Sequence, residues 1–307
     1  MHDETNKPVF IVGSPRSGTS ILTWCLGQHP NMFPVPESNW MGDFAVNLAV
    51  GHQVGTARGE RAILSAMEIG RDEFFAQFGR SINQLILKHR EDLDRKRRIL
   101  ASSEPKRRWV DGTPEYSIHI FGLRKLFPEA VFIHIVRDVG EVVRSMLNFH
   151  RVAGTRLVAN EQEAYKYWLR TVRACFEAEQ AYGPNVVRRF LYSALIDNPE
   201  AAMRSLLDFL GEPYDPRCLA PLRERINSSN VPADFVSEDP NTDAAVVDQA
   251  VTLCADLIKT RQRADADSSM AAAMEADFMQ RAQYVAGLDK AYQQCRRTLK
   301  QLEKTRS

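Results

Sequence analysis

PVFIVGSPRSGTSILTWCLGQHP, residues 8–30, is the stretch on which the fold turns. Pro8–Val12 is a short apolar run closed by Gly13, the pattern of a strand buried on both faces of a parallel sheet. A turn rich in glycine and serine follows. ILTWCLGQHP then takes helical spacing, ending at Gly27 with Pro30 beyond. Strand, tight loop and helix in that order open an α/β nucleotide-binding unit. Gly13-Ser14-Pro15-Arg16-Ser17-Gly18-Thr19-Ser20 keeps the GxxxxG spacing of a phosphate loop, with Thr19 where that motif carries lysine. The backbone reason for the motif survives. Glycines let consecutive N–H groups turn inward, and the helix N-terminus adds partial positive charge. The lysine that spans the β- and γ-phosphates of a nucleoside triphosphate is gone, and Arg16 is the only cation in the turn. Such a loop suits a compact anionic head better than a triphosphate with Mg²⁺; the plain alternative is an ordinary strand-to-helix turn.

Outward from that anchor, Ala130–Val136 (AVFIHIV) is the next buried strand, with the helical VGEVVRSMLNFH after it. Arg137 stands at the carboxyl end of this strand, where open α/β sheets place ligand groups. Ser145 lies eight residues on, about two helical turns past the strand end. A guanidinium and a hydroxyl so arranged hold a second phosphate by charge-assisted hydrogen bonds, or Arg137 is half of a structural pair with Asp138. A further strand is expected at Val186–Tyr192, and Asp197-Asn-Pro opens the helix PEAAMRSLLDFL, which Gly211 and Pro213 stop. The helical, irregular stretch at residues 39–100 reads as an insertion or lid, and residues 241–307 as an entirely helical C-terminal extension. Strands alternating with helices across about residues 8–212 predict a single α/β domain over 1–307, a phosphate-loop fold of three α/β/α layers around a central parallel sheet.

Composition narrows the class. Forty Lys+Arg against 39 Asp+Glu give a net charge of +1, which favours neither nucleic acid nor an anionic membrane surface. No apolar run approaches the roughly 18–20 residues that span a bilayer, and the polar start MHDETN reads as neither leader nor stem. Five scattered cysteines without a CxxC read as buried thiols in a reducing compartment, so a cytoplasmic enzyme is expected, with no metal site. Arg95–Arg98 and Lys106–Arg108 read as a solvated basic surface or as a contact for an anionic acceptor. In the tail Val285, Leu288, Tyr292, Cys295, Leu299 and Leu302 step by threes and fours, a stripe that packs onto the body or, as the secondary reading, pairs a homodimer through the C-terminal helices.

Taken together, the loop and the Arg137–Ser145 segment resemble the superfamily of sulfotransferases that use 3′-phosphoadenylyl sulfate (PAPS). VGSPRSGTSILTWCLGQHP is most similar to the PRSGT branch, which includes tyrosylprotein sulfotransferases and many bacterial ones. RWVDGTPEYSIHIFGLRKLFPEA resembles the family's segment before the 3′-phosphate strand, and RFLYSALIDNPEAAMRSLLDFLGEPYDP its RYEDL-to-FLGxP block, so the likeness covers about residues 8–230. The resemblance implies PAPS as co-substrate, no metal, and a hydroxylated acceptor: saccharide, lipid, small molecule or protein. It implies that Ser14, Pro15, Ser17, Gly18, Thr19 and Ser20 hold the 5′-phosphosulfate, that Arg16 faces the bridging oxygen, and that Arg137 and Ser145 take the 3′-phosphate. Tyr192 matches the block's tyrosine and packs near the adenine, unless it is a core aromatic. Glu37, in PVPES, falls where the PRSGT branch has its general base, unless it is a capping or loop glutamate; His119 and Glu115 are reserves. Many relatives carry a catalytic lysine where this chain has Gly112, so Lys106, Arg107, Arg108 or Arg16 alone must supply that charge. A phosphate-loop nucleotide kinase and a non-catalytic nucleotide-binding relative are the competing readings.

Overall fold

Strand residues are chosen by which faces of the sheet they fill. A computed structural model of the chain describes residues 7–96, 108–223, 231–232, 235 and 239–306. Five strands, β1 (Val9–Val12), β2 (Met32–Val35), β3 (Arg108–Asp111), β4 (Val131–Val136) and β5 (Val187–Leu191), form one sheet in the order β2-β3-β1-β4-β5. All its neighbouring pairs are parallel. The helices are α1 (Thr19–Gly27), α2 (Trp40–Thr56), α3 (Ile63–Ala66), α4 (Arg71–Lys96), α5 (Ile120–Leu126), α6 (Val139–Leu147), α7 (His150–Ala153), α8 (Glu161–Tyr182), α9 (Tyr192–Asp197), α10 (Pro199–Leu210), α11 (Ala244–Lys259) and α12 (Ser268–Arg306).

The wholly apolar β1 lies at the centre with all four residues buried. Val9 and Ile11 join one core with Ile133, Ile135 and, from α1 and α10, Leu22, Leu26, Met203 and Leu206. Phe10 and Val12 point the other way, into a core with Trp109, Phe132, Tyr116, Cys175 and Ala178. Period-two alternation inside an apolar run therefore produces the three layers. Buried Glu179 on α8 bonds both His134 of β4 and Arg189 of β5, tying that helix to the sheet. Because the chain leaves β1 towards β2 and leaves β4 towards β5, the crevice beyond their carboxyl ends is the topological switch point, the ligand position of open α/β sheets.

Two strands escape a pattern reading. β2 is MFPV, and its Pro34 is tolerated because β2 is an edge. β3 is RWVD, four residues with a charge at each end. Its Arg108 corrects the basic-surface expectation: the residue is 7% exposed. Arg108 donates through Nε to the Lys7 carbonyl at 2.6 Å, and through Nη1 to the Leu210 carbonyl at 2.7 Å and to Glu212 at 3.3 Å. The side chains of residues 91–107, and residues 224–230, lie outside the described residues. Because cutting one side of a buried pair strands the other charge, Arg108→Ala is expected to cost about 3 kcal/mol of stability, checked by urea unfolding.

Other expectations shift. Tyr192 does not end β5; it opens α9. The C-terminal region is two helices, with residues 260–267 breaking them. On α12, Phe278 and Ala282 are buried and Val285, the first residue of the stripe, packs against the same core, whereas Leu288, Tyr292 and Leu299 are at least half exposed. Cys295 is exposed, whereas Cys25, Cys175, Cys218 and Cys254 are buried. No helix among the described residues is long and apolar enough to cross a membrane.

Candidate active site

The turn from β1 to α1 is set by three left-handed residues, Gly13 (φ 149°), Arg16 (φ 71°) and Gly18 (φ 106°). A Cβ on Gly13 would lie 2.6 Å from the Ile135 carbonyl, and one on Gly18 would lie 2.6 Å from the Tyr192 ring, so the loop is wedged between β4 and the start of α9. Below it, the Gly13 N–H donates to Ser117 Oγ at 2.8 Å. α1 starts at Gly18 with no side-chain cap and no acidic residue in its first turn, which leaves its N-terminal field to an anion. Ser14 is fully buried, its hydroxyl on the Pro15 carbonyl at 3.3 Å. Ser17 is fully buried too, and its Oγ has no hydrogen-bond partner among the described residues. An orphaned hydroxyl beside an uncapped helix start is the feature an anion would satisfy.

Arg16 holds its unfavourable backbone because its side chain is anchored. Its Nε donates to Ser145 Oγ at 3.2 Å, its guanidinium sits 5.0 Å from the Phe149 ring, and its carbonyl accepts from Arg137 Nη1 at 3.3 Å. Burial, and then the charge of Arg137, lower its pKa. Arg137 in turn lies 4.6 Å over the Tyr192 ring and bonds Glu141 at 2.8 Å. The pairing with Asp138 weighed from sequence is absent: Asp138 caps α6, accepting the Glu141 N–H. Arg16, Arg137, Ser145, Tyr192 and Gly18 thus form one continuous cluster at the switch point.

Glu37 stands in the loop after β2, within reach of the Arg16 charge, and accepts from Ser20 Oγ at 3.2 Å. It opens to solvent, yet the protein around its other side raises the carboxyl above the usual glutamate range, with the charge of Glu115 adding and Ser20 and Arg16 opposing. Glu115 accepts from the Tyr167 hydroxyl at 2.7 Å. His119 is not part of this group. Its ring is pressed against Gly42 of α2, and burial with the charge of Arg281 pulls it down to about 4. Thr19 is 2% exposed and its carbonyl accepts from Thr23 Oγ1 at 2.9 Å.

That threonine explains Gly112. A Cβ there would lie 2.1 Å from Thr23 Oγ1, so the position that carries lysine in relatives is closed by a side chain of α1. Gly112→Lys is expected to lower stability by about 1–3 kcal/mol through overpacking, and Gly112→Lys with Thr23→Ala to recover part of it, checked by thermal unfolding.

Sequence reasoning passed over Glu141, Phe149, Ser117, Asp111 and Thr113. The first two carried a signal: each lies four residues beyond a singled-out residue, Arg137 or Ser145, at the two ends of α6. The others reach the loop only through tertiary contact. Asp111, at the end of β3, is pushed up to about 7 by burial, against hydrogen bonds from Thr113 and with help from the charge of Glu37. A raised acid favours folding fully below the ordinary value of 3.8, and that contribution is lost as pH rises through about 7. Asp111→Asn is therefore expected to flatten a fall in melting temperature between about pH 4 and pH 7, read by scanning calorimetry.

Residues 8–216 match the profile of the sulfotransferase family. An uncharacterized protein of Aquifex aeolicus is 28% identical over 220 residues, 70% of this chain and 27% of the relative. Protein-tyrosine sulfotransferase 1 of Danio rerio is 26% identical over 212 residues, 67% of this chain and 54% of the relative. Protein-tyrosine sulfotransferase A of Caenorhabditis elegans is 23% identical over 251 residues, 80% of this chain and 62% of the relative. The chain thus spans about a quarter of the first relative and between half and two thirds of the others. Among solved structures, the sulfotransferase domain of the Synechococcus PCC 7002 olefin synthase aligns over 92% of this chain and 96% of that one, with TM-score 0.46 and 22% identity.

Proposed function

Since this chain belongs to the sulfotransferase family, we propose that it transfers the sulfuryl group of PAPS to a hydroxyl of a saccharide, lipid, small molecule or protein. The observation that carries the reading is the wedged loop itself, where a buried, unpartnered Ser17 hydroxyl and a strained, anchored Arg16 stand beside an uncapped helix start. Those groups fit a phosphosulfate. When bound, PAPS supplies a sulfuryl group already activated by a phosphate leaving group. The chain's own residues do the rest. Ser14–Ser20 would line the 5′ side, with the Ser17 hydroxyl and the N–H groups that open α1 as donors, while the Ser20 hydroxyl stays on Glu37. Arg16 places a fixed positive charge where the leaving oxygen gains negative charge. Arg137 and Ser145 hold the 3′-phosphate, and the Tyr192 ring lies towards the adenine. Glu37 accepts the acceptor's hydroxyl proton on its carboxylate, a task its raised pKa suits.

The helices of residues 39–100 would then wall the acceptor side, and α11 and α12 form an extension of the same domain. Exposed Leu288, Tyr292 and Leu299 offer a surface to a second copy, and the four buried free cysteines suit a reducing cytoplasm. A kinase is disfavoured by Thr19, and Mg²⁺-dependent ATP turnover would decide for one. The test is binding of adenosine 3′,5′-bisphosphate (PAP) without Mg²⁺, followed by ³⁵S transfer from labelled PAPS to a panel of hydroxylated metabolites, glycans and peptides. Tight binding that Arg137→Ala weakens about 10- to 100-fold is expected from lost charge-assisted bonds; undiminished affinity in that variant would defeat the 3′-phosphate assignment.

A further inference from the structure

The loop that carries Glu37 is tied to the sheet by a side chain outside the proposed transfer machinery. Thr113 and Asp111 are each 1% exposed. Asp111 Oδ1 accepts both the Thr113 N–H, at 2.9 Å, and the Thr113 hydroxyl, at 2.6 Å. The Ser38 N–H, next to Glu37, donates to Thr113 Oγ1 at 2.8 Å. A threonine hydroxyl has one proton and two lone pairs. The 2.6 Å contact claims the proton, since the alternative acceptor, the Ser38 carbonyl, is 3.3 Å away. Oγ1 is then oriented with a lone pair on the Ser38 N–H. Oδ1 accepts in either protonation state of Asp111, so the arrangement does not depend on its titration. Asp111 Oδ2 has no hydrogen-bond partner among the described residues, which leaves holding Thr113 as the visible task of this buried carboxyl.

We infer that Asp111 and Thr113 form a clamp that positions Glu37: β3 fixes the backbone beside it through Ser38, while α1 fixes its carboxylate through Ser20. Thr113 and Asp111 are positioning residues and act on the reaction only through Glu37. The transfer consequence rests on the reading of Glu37 as base; the structural claim does not. Gly112, between them, is what lets α1 come so close, because Thr23 occupies the space of its missing Cβ. The clamp and the closed lysine position are therefore two results of one close approach of β3 to α1.

Three variants test this in the full chain. Thr113→Val deletes the hydroxyl at similar volume, Thr113→Ser keeps it, and Asp111→Asn keeps an oxygen acceptor for it. The Glu37 carboxyl is titrated by ¹³C NMR on glutamate-labelled protein, assigned with Glu37→Gln. PAP affinity is measured without Mg²⁺, and turnover is followed as conversion of PAPS to PAP with water as acceptor. In Thr113→Val the Glu37 titration is expected to move down towards the ordinary glutamate range as the carboxyl swings into solvent, to stay in place in Thr113→Ser, and to move in Asp111→Asn only by the small amount that loss of the Asp111 charge allows. PAP affinity should hold within about threefold in all of them, while turnover falls about 10- to 100-fold in Thr113→Val alone, the scale of a misplaced catalytic group. On a Glu37→Gln background Thr113→Val should add no further loss. An unmoved Glu37 titration in Thr113→Val, or an equal loss of turnover on both backgrounds, overturns the clamp. Full turnover in Glu37→Gln would instead sink the base assignment, and the NMR titration would still decide the clamp. Thr113→Ala gives the same readouts if the valine variant fails to fold.

Discussion

Glu37→Gln is expected to lower sulfuryl transfer by about 10²–10⁴-fold while leaving PAP affinity within about threefold, because it removes a proton acceptor and no phosphate contact. Glutamine keeps the shape and still accepts from Ser20, so lost packing does not account for such a drop. The pH profile gives the second signature. Only the carboxylate accepts a proton, so activity is lost as pH falls through the Glu37 pKa. Partial burial and the charge of Glu115 raise that pKa, which displaces the acidic limb of kcat/KM above the ordinary glutamate range. Residual activity in the glutamine variant should lack the limb. A variant that retains full transfer, or the same acidic limb, moves the base to Glu115, whose carboxylate is held by Tyr167.

Arg16→Gly separates function from stability. At φ 71° an arginine costs about 1–2 kcal/mol that glycine does not. Glycine adds about 0.5–1 kcal/mol of unfolded-chain entropy, and the bond to Ser145 and the contact with Phe149 are lost. With those two contacts at about 0.5–1 kcal/mol each, the opposed effects leave the variant between about 2 kcal/mol less stable and about 0.5 kcal/mol more stable than the parent. Transfer is expected to fall by about 10²–10³-fold, as when a preorganised donor to developing charge is deleted. Chemical unfolding and ³⁵S transfer on the same preparation check the pair. A protein destabilised by well over about 2 kcal/mol would make Arg16 a structural anchor; a stable and active one would remove it from the chemistry.

Much of this architecture was legible because it is local. β1 is an apolar run closed by a glycine, and its run-on into α1 is a spacing motif. α10 is bracketed by Asn198, whose side chain accepts the Ala201 N–H, and by Gly211 at φ 70°. Arg137 and Ser145 could be placed relative to each other because a strand end and a helix separate them. What stayed hidden depends on partners distant in sequence. RWVD carries no apolar run, and only its position between β2 and β1, with Arg108 engaged by Lys7, Leu210 and Glu212, makes it an interior strand. The stripe on α12 packs at Val285 and is exposed from Leu288 to Leu299, because periodicity shows that a face is apolar and says nothing of what lies opposite. In the site, the loop motif marked the turn after β1, while the surroundings of Glu37, from Glu115 and Tyr167 to the Thr113 tie on Ser38, are assembled from segments that share no pattern.

The account rests on the turn after β1 gripping an anion, and a crystal structure of the full chain grown with PAP tests that most directly. It expects the 5′-phosphate within hydrogen-bond distance of Ser17 Oγ and the Arg16 guanidinium, with the 3′-phosphate against Arg137 and Ser145. A nucleotide seated elsewhere, or a turn without phosphate density and Arg16 directed into solvent, would contradict it.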